Sequence, residues 1–218
     1  KVCTMRHIPI FTFINKMDLD GRPVLDLLDE IESILKIKVA PFTLPIGVGK
    51  LFKGVYSIAE NTFHTFNKEE GSQEIIQMSG PDDPRLIEMC GENWVTQFRE
   101  EYDMVTGAMD PFDKEKFLKG EMCPVFFGSA VNNFGVRQLL NAFAELAPPP
   151  MVRVTDKRDV NPEENSFSAF VFKIQANMDP KHRDRTAFLR ICSGSFTRGE
   201  KVYHCRTGRE IRLAAPTA

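Results

Sequence analysis

The 218-residue sequence has one tryptophan, three tyrosines, four histidines and five cysteines, and each scarcity narrows what the chain can be. Its apolar runs are far short of the roughly 20 residues a membrane-spanning helix needs, so no membrane partner is expected. The amino end, Lys1-Val2-Cys3-Thr4-Met5-Arg6-His7, has no signal-peptide pattern and does not begin with methionine, which suggests a fragment of a longer protein. Cys3, Cys90, Cys123, Cys192 and Cys205 are widely spaced, odd in number and form no C-x-x-C. They are expected to be reduced thiols of a cytoplasmic protein, with Cys192 and Cys205 on neighbouring strands, and neither a disulfide framework nor a metal site. His7, His64, His182 and His204 form no ligand pair either. A complete phosphate-cradling loop is also missing: in the segment ending Gly47-Val48-Gly49-Lys50-Leu51, Leu44 stands where G-x-x-x-x-G-K-[ST] requires its first glycine. Leu51 replaces the hydroxyl that would hold Mg²⁺, so Gly47 and Gly49 are assigned to turn geometry instead. There is no internal repeat or low-complexity tract.

What is present is a globular composition, 42% hydrophobic and 27% charged, with a core to bury. The net charge of −2 hides an asymmetry: residues 166–213 hold ten Lys or Arg against four Asp or Glu, a balance of +6, which leaves −8 for the rest. A basic carboxyl-terminal module beside an acidic amino-terminal one suits contact with a polyanion, although a solvated β surface explains the charge equally well.

The most specific stretch is Pro9-Ile10-Phe11-Thr12-Phe13-Ile14-Asn15-Lys16-Met17-Asp18. Its apolar half predicts a parallel-sheet strand buried on both faces, and its polar half falls at the strand's carboxyl end, where α/β folds bind ligands. In N-K-x-D, the Asp18 carboxylate can accept from both N1–H and the exocyclic N2–H of guanine, a donor pair that adenine does not present. Lys16 would lay its methylene stem along the base, while Asn15 braces the loop or reaches the base with its amide.

Along the chain, Val24, Leu27, Leu28, Ile31 and Leu35 predict an amphipathic helix after a Pro23 turn. Residues 42–46, 54–58 and 62–66 read as strands, 67–83 as loop, 84–90 as a short helix, and Trp94 to Val105 as a longer one with Trp94 anchored in the core. Residues 114–119 add a helical turn, so 41–120 read as an α+β insertion between two sheet strands. Pro124 to Phe127 is a second continuous apolar strand, closed by Gly128-Ser129-Ala130. A helix capped by Asn133 follows, with Val136, Leu139, Leu140, Phe143 and Leu146 on one face. Pro148-Pro149-Pro150 ends it and opens a stiff linker, placed at 148–165. Four strand-like runs then predict an antiparallel β module over 166–218, too few strands for a closed barrel.

The pair of loops, Asn15-Lys16-Met17-Asp18 and Gly128-Ser129-Ala130, resembles the last two guanine-recognition motifs of the GTPase superfamily. The proline-rich linker and the turn Ser193-Gly194-Ser195-Phe196-Thr197-Arg198-Gly199-Glu200-Lys201-Val202 resemble translational GTPases. Residues 170–185 and 45–55 are similar to the bacterial peptide chain release factor 3 branch of that family. The resemblance implies an α/β fold: residues 1–147 as the carboxyl-terminal part of a P-loop GTPase domain, followed by the start of the second-domain β-barrel, both truncated. It implies guanine contacts from Asn15, Lys16, Asp18, Ser129 and Ala130, with the Ala130 N–H on guanine O6 and Ser129 steadying the loop. The ligand would be GTP or GDP, with Mg²⁺ held by residues outside this chain.

By the same resemblance the parent is a GTPase that recycles stop-codon-reading (class I) release factors on the ribosome. Its second domain would meet small-subunit ribosomal RNA through Lys181, His182, Arg183 and Arg185, with no DNA partner. The phosphate loop and switch segments of the family have no counterpart in these residues, so no catalytic residue is expected and this chain should not hydrolyse GTP. Two alternatives stand beside this reading: an elongation factor G-like or ribosome-protection GTPase, and a non-catalytic RNA-binding module in which N-K-M-D is only a turn.

Overall fold

A computed structural model describes residues 2–6, 8–67, 73–176 and 185–214. Contacts divide the chain into two units, Lys1–Ala147 and Pro148–Ala218.

The first unit begins with α1 (Val2–Met5), a helical turn where the sequence suggests only the approach to a strand, and continues into β1 (Thr12–Ile14). Helix α2 (Val24–Leu35) buries Val24 and Leu28, and Lys36 ends it in the left-handed region, its N–H bonded to Glu32 O. Then come β2 (Lys38–Pro41), β3 (Thr43–Ile46), β4 (Gly54–Ser57), β5 (Thr62–Thr65) and β6 (Ile75–Gln77). Strand β6 lies inside the stretch read as loop. Its pairing with β5, not its own short apolar content, makes it a strand.

Three helices follow: α3 (Pro84–Cys90), α4 (Glu92–Ala108) and α5 (Lys114–Leu118). Asp83 caps α3 by accepting from Arg85 N, and Asp113 caps α5 by accepting from Glu115 N and Lys116 N. Last are β7 (Met122–Phe127) and α6 (Val136–Leu146). The residue before α6 is Gly135, not Asn133. Asn133 instead sits in the left-handed region at the end of a 3₁₀ turn over Ala130–Asn132, and α6 has no side-chain cap.

Two sheets organise this unit. In one, β7 lies between β1 and β2 and runs parallel to both, and all six of its residues are buried. The other is the antiparallel order β3-β4-β5-β6. Strand β1 is half-buried instead of enclosed on both faces, and it lies at the sheet edge, with β7 its one strand partner among the described residues. Leu28, Val39, Leu44, Ile46, Tyr56, Phe63, Leu86, Phe98, Val125, Phe127 and Phe134 share one core, with Trp94 packed against it.

The second unit opens with a small hairpin, β8 (Arg153–Val154) and β9 (Asp159–Val160), within the stretch expected to be a plain linker. Thr155 closes its turn: Oγ1 accepts from Lys157 N and Arg158 N and donates to Arg158 O. Beyond it are two antiparallel hairpins, β10 (Ser168–Ala176) with β11 (Arg185–Ser193), and β12 (Lys201–His204) with β13 (Arg209–Arg212).

Candidate guanine-recognition site

The site begins with strand register. Strands β1 and β7 are parallel and pair Ile14 with Phe127, so the polar residues that follow each strand leave the sheet side by side at the same end. Backbone bonds join the two exits: Gly128 N donates to Ile14 O at 3.0 Å and Met17 N to Gly128 O at 3.1 Å. Met17 points into the core and anchors the loop, which leaves Asn15 and Lys16 exposed. Lys16 adopts φ 67°, uncommon for a residue with a Cβ and held here by the bonds on either side.

The polar side chains interlock. Asn15 Oδ1 accepts from Lys16 N and from Ala130 N, both at 2.8 Å, so Asn15 braces the second loop across a separation of 115 residues. The Ala130 N–H that the resemblance assigns to guanine O6 is therefore bonded within the protein in this structure. Ser129, fully buried, exchanges two backbone bonds with Phe134 (3.0 and 2.9 Å), and its hydroxyl donates to Asp18 Oδ1 at 2.6 Å. Asn132 Nδ2 donates to Asp18 Oδ2 at 3.2 Å and to Ser129 Oγ at 2.7 Å. The register thus brings Asn15, Lys16, Asp18, Ser129 and Ala130 together. Of the residues assigned to RNA contact, Arg185 is exposed at the start of β11, while Lys181, His182 and Arg183 lie outside the described residues.

Two contributions have no direct sequence signal. Asn132 is one; the only hint is an amide two residues beyond the Ser-Ala pair. The other is the Gly47–Leu51 segment, which supports the first loop. Gly49 N donates to Met17 O at 3.0 Å, and a Cβ on Gly49 would fall 2.1 Å from Asp20 Oδ1. With that N–H spent on Met17 and no hydroxyl at Leu51, this segment does not fit phosphate-bound Mg²⁺, and no step through the metal is assigned to these residues.

Two of the thiols are held in the protonated form by burial. All five cysteines are free; burial pushes the Cys90 thiol up to about 11 and raises Cys123 as well, so neither is a ready thiolate. Among the described residues no group of three or more His, Cys, Asp or Glu side chains could hold a metal ion, and no helix is long and apolar enough to cross a membrane.

The fold is that of an α/β protein whose polar loops gather at the carboxyl ends of parallel strands, followed by an antiparallel β module. Residues 1–149 match the family described as the elongation factor Tu GTP binding domain, and residues 166–218 match elongation factor G domain 2. The chain belongs to the translational GTPase family. A crystal structure of a protein from Thermus thermophilus is similar over 96% of this chain and 31% of its own length, with a TM-score of 0.63 at 21% sequence identity. That likeness shows the fold, and the chain spans about a third of the length of that protein.

Proposed function

We propose that this chain carries the guanine-reading half of a nucleotide site belonging to a GTPase of translation termination, one that recycles stop-codon-reading release factors on the ribosome. The observation that carries the nucleotide reading is the Asp18 carboxylate, tied by Ser129 and Asn132 at the exit of two parallel strands. The two carboxylate oxygens accept from guanine N1–H and N2–H, a donor pair that adenine does not present. Lys16 supplies an apolar stem for the base plane, and Ala130 N–H is exchanged from Asn15 Oδ1 to guanine O6 on binding. GTP and GDP are the nucleotides, and Mg²⁺ is held by residues of the whole protein outside this chain. The assignment to release factor 3, a bacterial and cytoplasmic protein, rests on the sequence of residues 170–185 and 45–55. The basic second unit, with Lys181, His182, Arg183 and Arg185, meets small-subunit ribosomal RNA.

Competition binding tests the site. Guanosine diphosphate should compete for the chain well below the concentration at which adenosine diphosphate does, and Asp18→Ala should bring the two together. Equal competition by both nucleotides at the wild-type protein would remove the guanine reading and favour a non-catalytic RNA-binding module. Because no residue here is assigned to the β- and γ-phosphates or the attacking water, the purified 218-residue chain should release no phosphate from GTP. The match of residues 166–218 to elongation factor G domain 2 favours a second reading, an elongation factor G-like or ribosome-protection GTPase. The remaining sequence of the whole protein decides between them, since a translocase has two domains that release factor 3 lacks.

A further inference from the structure

We infer that Gln73 is a positioning residue: it reaches from the antiparallel sheet β3-β4-β5-β6 to the second guanine loop and holds the Ala130 N–H where the base needs it. This rests on the guanine reading above and gives the inserted sheet a part in it.

The sheet packs behind that loop. Phe52, which precedes β4, and Phe66, which follows β5, have ring centroids 5.1 Å apart, and the buried Phe134 ring lies 5.5 Å from the first and 5.1 Å from the second. Phe134 is the residue whose backbone exchanges two bonds with Ser129, so the three rings fix the point at which the loop closes.

Gln73 adds a tie to the backbone of the loop itself. Its Nε2 donates to Asn133 O at 2.9 Å, across a separation of 60 residues. A carbonyl oxygen only accepts, so the amide must present its nitrogen there. Asn133 N in turn donates to Ala130 O at 3.0 Å. Asn133 is thus bonded on both sides of its Cα, which holds it at φ 51°, a conformation costly for a residue with a Cβ. Two hydrogen bonds therefore lead from the sheet to Ala130. The other end of this line is anchored on β5: Glu74, the next residue after Gln73, donates its N–H to Thr65 Oγ1 at 3.2 Å and accepts from Thr65 N at 2.9 Å. In the binding mode proposed above, the Ala130 N–H leaves Asn15 Oδ1 for guanine O6. The bond from Asn133 is on the carbonyl side of Ala130 and is not exchanged, so it keeps the N–H aimed while its partner changes.

Ligand-observed NMR competition on the 218-residue chain, comparing guanosine and adenosine diphosphates, tests this. Gln73→Ala, and the isosteric Gln73→Glu, which has no amide hydrogens, should lower the guanosine-to-adenosine preference by about two- to fivefold. Gln73→Lys, which keeps a donor, should retain most of it, and Glu74→Ala, which keeps both backbone bonds to Thr65, should retain all of it. Gln73 is exposed, so its substitution leaves the core untouched, and thermal denaturation with the amide fingerprint identifies the folded samples. A preference unchanged in folded Gln73→Ala and Gln73→Glu, or a loss equally large in Gln73→Lys or Glu74→Ala, would overturn the positioning role while leaving the guanine site intact. A wild-type chain that fails to separate guanosine from adenosine diphosphate, or binds neither, would remove the guanine reading and this inference with it.

Discussion

Gly128 is the residue on which the approach of the two recognition loops depends. A Cβ there would lie 2.3 Å from Phe134 O, 2.8 Å from Phe13 Cζ and 3.1 Å from Gly135 Cα, and two of those three neighbours are backbone that cannot step aside. Gly128→Ala is expected to destabilise the protein by about 1–3 kcal/mol, as overpacking does elsewhere. Gly107 offers the opposite sign. It lies in α4 with nothing within 4 Å of its added Cβ, so Gly107→Ala should stabilise by up to about 0.5–1 kcal/mol through backbone entropy alone. Urea titrations of the two variants beside the wild type check both signs. At this scale the sequence was informative wherever chemistry is local: N-K-x-D names its donors and acceptors, and a small residue beside Ser129 signals close approach. Asn132 was not legible, because its partner Asp18 is 114 residues away and no spacing rule connects them.

Helix α6 shows the limit of periodicity. Its apolar residues recur at helical spacing and the helix forms over Val136–Leu146, yet Leu140 is 58% and Phe143 53% exposed, and only Leu146 is buried. Spacing determines which residues share a face but not what covers that face. Strand β6 failed in the opposite direction, since a three-residue strand owes its existence to its neighbour. One contact ties α6 to the antiparallel sheet: Gln138 Nε2 bonds His64 Nδ1 at 2.7 Å, and His64 Nε2 bonds Thr62 Oγ1 at 3.0 Å. With Gln138 donating, the ring is neutral and donates from Nε2. Burial lowers the His64 pKa below its ordinary value of 6.5, with Glu60 opposing the shift. Since the fold favours the neutral ring, this contribution to stability is complete above pH 6.5 and is lost as the pH falls through the lowered folded value. Glu101 has the opposite sign, because burial raises its pKa and the fold favours its protonated form. The comparison must therefore be made against a variant. The melting temperature of His64→Gln should fall less between pH 7 and pH 5 than that of the wild type when both are followed by circular dichroism.

At the scale of the whole chain, the contrast is one of charge, with +6 over residues 166–213 against −8 elsewhere. The strand register of the second unit gives that surplus a structural consequence. Lys201 and Arg212 are directly opposite one another in the β12–β13 pair, and both are exposed. Arg212 Nε is held on Gly199 O at 2.9 Å, and like charges facing across an antiparallel pair weaken it, so the register predicts a repulsion here that a bound phosphate would relieve. Composition alone left a solvated surface as an equal explanation, and only the register singles out this pair. Lys201→Glu should therefore act in two directions. It replaces the repulsion with an attraction and should raise stability by about 0.2–1 kcal/mol, while removing one positive group from any phosphate contact. If the chain neutralises three or four phosphates of a single-stranded RNA, its affinity should fall about 20- to 50-fold between 50 and 200 mM salt, from a log–log slope of roughly −0.7 per phosphate. In Lys201→Glu that slope should be shallower by about one contact, in a protein that melts no lower than the wild type. Filter binding across the salt series, read beside thermal denaturation, separates this from a folding defect. A slope indifferent to salt would leave the basic face an ordinary solvated surface, whereas a steep wild-type slope unchanged by the substitution would place the phosphate contacts on other basic residues of the unit.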